Sequence, residues 1–269
     1  MSDFLGIARE RIYSPGKVDD DRAILDAVAA HLGATHRCAM LDAEAPLPLA
    51  PPSPATVVFA MCQGPAALEV LRGWEAAGVR VINSVAGIEN AHRRRMLAAF
   101  ARDGVAHPPS AIVATADAAA LPDWVDGDLW VKRGDVHSTE AGDVVRAAGR
   151  AAVGAALAAF AARGIAAACV QRHVAGPVFK FYAVRGEDFF ACYPPTGVAA
   201  PDRGEESAMR ALAAAGAGAL ELEVFGGDCV RDGDGNLWLF DLNDWPSYGR
   251  CRFGAAAAIA SYVRRARIN

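Results

Sequence analysis

Three oxygen-bearing side chains near the C-terminus, Asp228, Asp241 and Asn243, carry the chemistry most readable in this sequence. They lie in the stretch from Glu223 to Ser247, which reads as two β-strands joined by a Gly/Asp turn. Asp241 and Asn243 are two residues apart, so on an extended strand both point to the same face. Asp228 approaches from the preceding strand. Two carboxylates and an amide make an oxygen-only set, which suits a hard cation such as Mg²⁺ with phosphate completing the shell. The competing reading is that the same residues cap the turn of a hairpin. The intervening Asp232-Gly233-Asp234-Gly235-Asn236 superficially suggests a Ca²⁺ loop. Its sixth position is Leu237 rather than Gly and its twelfth is Asn243 rather than Glu, which excludes an EF-hand. It is a tight turn of residues that tolerate positive φ.

Positioning such a set requires a sizeable core. The chain has 269 residues, 53% of them apolar, with a mean hydropathy of +0.17, enough for two or three subdomains around one cleft. The formal net charge of −4 gives no pull toward nucleic acid or an anionic membrane, so local basic groups must meet any anion. The six cysteines are scattered without a CxxC pair, as expected of buried free thiols. No apolar run reaches the roughly 20 residues needed to span a bilayer. The segment Met1 to Glu10 reads as a first strand rather than a signal peptide. The expectation is a soluble cytoplasmic protein that contacts neither nucleic acid nor membrane; a homodimer is left open.

Residues 1–84 alternate strand and helix, which predicts a small parallel α/β domain. Strands are expected at Phe4 to Ala8, 36–41, Thr56 to Met61 and Val79 to Ile82, with helices from Asp19 to Leu32 and over 65–77. Ser84 can cap a short helix, and Ile88 to Asp103 reads as a second. A strand follows at Ala111 to Ala114, then an Ala-rich helix near 115–121. Leu129 to Lys132 reads as a strand running into a polar loop, and Val144 to Arg163 as one long Ala-rich helix. A strand runs from Ala167 toward Val174. Val178 to Val184 and Asp188 to Tyr193 form a hairpin, Glu205 to Ala215 a helix, and Phe253 to Arg267 a final helix.

Several motifs occur along this framework in a telling order: Val81-Ile82-Asn83-Ser84, Ile88-Glu89-Asn90-Ala91, a basic cluster Arg93-Arg94-Arg95, and Gly104-Val105-Ala106-His107-Pro108-Pro109. Then come Trp130-Val131-Lys132, Val170-Gln171-Arg172-His173-Val174, Phe179-Lys180-Phe181-Tyr182, and Gly227-Asp228 with Phe240-Asp241-Leu242-Asn243. Over roughly residues 80–260 this order resembles the ATP-grasp superfamily. The resemblance implies an α/β (α+β) ATP-grasp fold: an N-terminal pre-ATP-grasp domain over 1–84, a central subdomain over 85–170, and a C-terminal subdomain over 171–269 that carries the metal site. The implied cofactors are ATP and Mg²⁺ or Mn²⁺, the metal held by Asp228, Asp241 and Asn243. Lys132 would touch nucleotide phosphates, and Arg94 stands where family members usually place a phosphate-binding lysine. Gln171, Arg172, His173 and Val174 would form the segment that holds adenine through backbone groups, with Phe240 in the core or beneath the base. Lys132, Lys180 and Arg252 are the implied catalytic cations, and His137, Lys180, Arg250 and Arg252 the substrate contacts.

Two subfamilies share the pattern. Carboxylate–amine ligases phosphorylate an acid, and an amine attacks the acylphosphate; inositol-phosphate kinases transfer the phosphoryl group to a hydroxyl. The Asp/Asp/Asn set resembles the kinases slightly more. A kinase for a polyphosphate needs a strongly basic acceptor site, and Lys180, Arg250, Arg252 and Lys17 are few. One or two cations suffice to dock a carboxylate. The expectation is therefore an ATP- and Mg²⁺-dependent carboxylate–amine ligase acting on a small acid and an amine. The alternatives are a small-molecule kinase and a non-catalytic nucleotide-binding scaffold.

Overall fold

A four-stranded parallel sheet forms first. Its elements are β1 (Phe4–Ala8), α1 (Val18–Gly33), β2 (Cys38–Asp42), β3 (Val57–Ala60), α2 (Pro65–Ala76) and β4 (Arg80–Ile82), in the strand order β2-β1-β3-β4. The computed structural model describes residues 2–117, 121–134 and 142–267. Every residue of β3 is buried, as a central strand covered on both faces requires. Asp19, Asp20 and Asp21 occupy the first turn of α1, where the helix dipole favours negative charge. Ile24, Leu25, Val28 and Leu32 form its fully buried stripe.

The next segment departs from expectation. α3 (Val85–Asn90) is capped by Ser84, whose Oγ accepts from the Gly87 N–H at 3.0 Å. The chain then breaks at Ala91 and His92, and α4 (Arg93–Asp103) starts with a fresh phase. The short helix capped by Ser84 is as expected, and the second begins at Arg93 instead of Ile88. α4 ends on Gly104 in the left-handed conformation, φ 67°.

The second sheet is antiparallel, in the order β5-β8-β6-β7. It comprises β5 (Ser110–Ala114), β6 (Asp128–Arg133), β7 (Val144–Ala148) and β8 (Ala167–Arg172), with α5 (Gly149–Ala162) packed on it. Two corrections fall here. Residues 144–148 are a strand, because the β-branched Val144 and Val145 pair along β6 and Gly149, at φ 74°, turns the chain into α5. Thr115 to Asp117 form a turn instead of a helix start; the Thr115 N–H and Oγ1 bind the Ala166 and Ile165 carbonyls. The rest of that expected helix reaches beyond the described residues.

The third sheet, also antiparallel, has the order β10-β9-β11-β12. Its strands are β9 (Val178–Val184), β10 (Phe190–Tyr193), β11 (Val224–Arg231) and β12 (Leu237–Asp244). Between β10 and β11 runs α6 (Arg203–Leu220), longer than expected, opened by a capping box of Asp202 and Glu205. The last helix, α7 (Arg252–Arg265), packs on α1 of the first sheet. Its Ala256, Ile259 and Val263 share one core with Ile24, Val28, Trp245 and Tyr248. Asn83, fully buried, ties the sheets together. Its Nδ2 donates to the Val224 carbonyl at 2.8 Å, and its Oδ1 accepts from the Glu223 and Val224 N–H groups. Trp245 Nε1 donates to the Ile82 carbonyl at 3.1 Å. These bonds hold the ends of β11 and β12 against the end of β4. Among the described residues, no helix is long and apolar enough to cross a membrane.

Candidate functional site

The regular pairing of β12 with β11 fails at one place, and the site is built there. Asp228 pairs with Asp241 and Cys229 with Leu239, so Phe240 is an extra residue, a β-bulge. Leu239 and Leu242, three apart, therefore both remain in the core. Phe240 and Asp241, adjacent in sequence, both line one cavity, together with Asn243. On β11, Gly226 and Gly227 are needed for close approach: a Cβ on Gly227 would sit 2.2 Å from the Asp241 carbonyl oxygen, and one on Gly226 2.8 Å from that of Phe181.

That inner cavity, about 460 Å³, lies between the second and third sheets. Its walls bring together Lys132, Gln171, Arg172, His173, Val174, Phe240, Asp241 and Asn243. Lys132, 6% exposed, donates to Gln171 Oε1 at 2.8 Å and stands 5.0 Å above the centre of the Phe240 ring. Gln171 is in turn held by Ser110, to whose Oγ it donates at 3.0 Å. Burial pushes the Lys132 ammonium below the usual lysine range, and Arg93 adds to the depression; Asp241 and Asp228 oppose it. Trp130 Nε1 donates to His173 Nδ1 at 3.0 Å, which leaves the proton of a neutral imidazole on Nε2.

The outer cavity, about 610 Å³, shares Val178 and Asn243 with the inner one and is bounded by the first and third sheets. Lys180, Asp228 and Arg250 line it. Lys180 faces Asp228 across the β9–β11 register and bridges to it at 2.8 Å. Burial pushes the Asp228 carboxyl up, Lys180 pulls it down, and the nearby charge of Asp241 adds to the rise. A paired, all-oxygen set of this kind fits a hard divalent cation. Among the described residues no three His, Cys, Asp or Glu side chains are arranged to hold a metal; a cation beside Asp228 and Asp241 would need its third oxygen from a group such as the Asn243 amide.

Two expected residues stand elsewhere. Arg94 is exposed, whereas Arg93 is buried, lines the inner cavity, and donates through Nε to the Arg133 carbonyl at 3.2 Å. The signal was the helical phase: Arg93 falls three, four and seven residues before Met96, Leu97 and Phe100, the buried face of α4. Arg252 lines neither cavity and donates to Asp20 Oδ1 at 2.7 Å, joining α7 to α1. His137 lies outside the described residues. Sequence reasoning also missed Trp130 as a wall of the inner cavity and Tyr193 as a wall of the outer one. Asp232 proves to be a turn residue: its carboxylate accepts from the Asp234 and Asn236 N–H groups and from Trp238 Nε1.

A parallel α/β sheet followed by two antiparallel sheets that enclose a cleft is the ATP-grasp fold, and this chain has it. Compared as a sequence, the chain matches no family model and no curated protein. Among solved structures it is similar to the VanG D-Ala:D-Ser ligase from Enterococcus faecalis, with a TM-score of 0.74 and 10% identity over 99% of this chain and 100% of that one. It is similar also to a RimK domain ATP-grasp protein from Sphaerobacter thermophilus, with a TM-score of 0.69 and 17% identity over 96% and 98% of the two chains. The ATP-grasp ligase PsnB, complexed with minimal precursor, Mg and ADP, gives a TM-score of 0.65 and 15% identity over 99% of each chain. At such identities the likeness is one of fold.

Proposed function

We propose that this protein is an ATP- and Mg²⁺-dependent carboxylate–amine ligase that works through an acylphosphate. The observation that carries this reading is the junction of the two cavities at Asn243, with Asp241 lining one and Asp228 the other. A nucleotide in the inner cavity would present its terminal phosphate there, in contact with whatever fills the outer one. The VanG and PsnB structures, named as ligases, support the assignment by fold.

In this reading Lys132 and Arg93 bind phosphate oxygens, and the apolar wall at Val144, Val174 and Phe240 encloses the base. Asp228, Asp241 and Asn243 would hold the cation, which when bound neutralises charge on the phosphates. Lys180 orients the acid. A carboxylate oxygen of the acid attacks the terminal phosphorus as the bond to ADP breaks. The amine nitrogen then attacks the acyl carbon, the carbon–oxygen bond to phosphate breaks, phosphate leaves with the bonding pair, and the proton lost by the amine passes to solvent. The chain's contribution is positioning and charge, with no covalent nucleophile.

Hydroxylamine tests this directly, because it intercepts an acylphosphate as a hydroxamate. With ATP, Mg²⁺, hydroxylamine and a panel of acids, the expected result is acid-dependent hydroxamate matched by ADP, both abolished by a chelator. ADP release driven by a polyol without any acid would establish the kinase reading instead.

A further inference from the structure

The outer cavity shows which acid it is built for. Three of its wall carboxylates are already engaged. Asp21 accepts from Arg9 at 3.1 Å and from Ser14 Oγ at 2.7 Å; Asp228 is bridged by Lys180; Asp244 Oδ1 accepts from Gln63 Nε2 at 2.7 Å. The other oxygen of Asp244 is sealed from solvent. Glu10, behind this wall, is spent on the backbone N–H groups of Gln63 and Gly64. Among the described residues, every carboxylate of the wall already has a protein donor, which disfavours the ammonium of a free amino acid as a further partner.

The cations divide differently. Arg9 is consumed by the protein: its guanidinium donates to Asp21 and to the carbonyls of Met61, Asp244 and Trp245. Arg250 is exposed, has no ion pair among the described residues, and lies with its guanidinium 5.5 Å from the centre of the Tyr193 ring. Tyr193 in turn stands directly opposite Lys180 in the β9–β10 register. Lys180 therefore serves the junction, and Arg250 waits one tyrosine ring farther out. Lys17, more than half exposed, lines the same cavity just ahead of α1, and its ammonium bonds to Asp20 on its own helix turn. Cations at two separated places, Lys180 shared with Asp228 and Arg250 without an ion pair among the described residues, match two anionic groups on one substrate.

We propose that the acid activated by this enzyme carries at least two carboxylates, one placed by Lys180 at the junction and the other clamped by Arg250 over the Tyr193 face. This rests on the ligase reading for its chemistry, while the pairing of charges is testable by binding alone. A cavity of about 610 Å³ leaves room for the amine alongside such an acid.

Calorimetric titration of the Mg²⁺–ADP-loaded protein with glutarate, its monomethyl ester, butyrate and 4-aminobutyrate makes the test. Glutarate should bind at least about tenfold more tightly than the other three, the loss expected when one charge-assisted pair is removed. Arg250→Gln should erase that margin with ADP affinity unchanged, since Arg250 is remote from the inner cavity. Arg250→Lys should restore part of it. Equal binding of the four ligands, absence of binding by all, or tighter binding of glycerol 2-phosphate than of glutarate would each overturn the proposal. Failure of the ligase reading looks different: glutarate binds selectively, yet no acid yields a hydroxamate.

Discussion

The two cavities that meet at Asn243 are built on opposite principles. The inner one is made of side chains that hold one another: Lys132 on Gln171, Gln171 on Ser110, His173 on Trp130, and Lys132 over Phe240. All stand on strands or strand ends of two antiparallel sheets, and its key cation is almost wholly buried. The outer one presents exposed cations at its rim, drawn from the first-domain loop, β9 and the segment after β12. A preorganised inner wall suits a ligand that is always the same, whereas a rim of exposed charges can change its substrate by single replacements. The contrast fails if inner-wall variants alter acid selectivity, or if outer-wall variants lose nucleotide.

The largest effect should come from the junction itself. Asp241→Asn keeps the shape of β12 and removes one negative oxygen from the proposed cation set. We expect turnover to fall by about 10²–10³-fold, the range for removing one preorganised electrostatic contact from a transition state, with the melting temperature nearly unchanged. Because burial and the charge of Asp241 both push the Asp228 carboxyl up, easing one carboxylate does not harm the fold. Parallel melting and turnover measurements decide the matter; retained turnover would remove Asp241 from the chemistry.

Lys132 gives the next effect, with opposite signs for function and stability. Lys132→Met should weaken ADP binding by about tenfold or more, as expected when a charge-assisted phosphate contact is lost. The same change removes a buried ammonium, so the variant should resist denaturant at neutral pH at least as well as the wild type. Burial, aided by Arg93, holds the folded-state pKa of Lys132 below the ordinary 10.5. The unfolded chain therefore binds more protons over the window between the two values, and wild-type stability rises with pH across it. Lys132→Met lacks that gain, so its advantage should shrink as pH climbs toward 10.5. Urea melts of both proteins at several pH values measure this, and a constant gap would mean that Lys132 is not desolvated.

Much of this was legible in the sequence because it depends on local pattern. The α/β alternation of the first sheet follows from apolar runs and helix stops. The Asp241 and Asn243 pair follows from a period of two, and Lys132 from the resemblance of Trp130-Val131-Lys132 to an ATP-grasp strand. What escaped depends on breaks in pattern. Ala91 and His92 interrupt an otherwise continuous helical stretch and reset the phase, which turns Arg93 inward and Arg94 out. The bulge at Phe240 sets that ring beside Asp241 on one wall, a placement strict alternation forbids. The Ala-rich composition hid β7, where only Val144 and Val145 favour a strand and pairing with β6 completes it.

The finest test separates two arginines that the sequence made equivalent. Arg250 and Arg252 are two residues apart and both follow β12, so either could have met the substrate. Arg250 lines the outer cavity, whereas Arg252 opens α7 and reaches away to Asp20 on α1. Its partner is a solvent-exposed carboxylate, and such pairs contribute little to stability. Arg252→Ala should lower the melting temperature by no more than about 2–4 °C, and it should leave the acid concentration for half-maximal hydroxamate formation where it was. Arg250→Ala should do the reverse, raising that concentration with no change in melting. If Arg252→Ala instead weakens the acid while Arg250→Ala does not, the first-domain helix α1 carries the substrate contact through Asp20 and Arg252, and the rim of the outer cavity lies one helical turn farther along the chain than the present geometry places it.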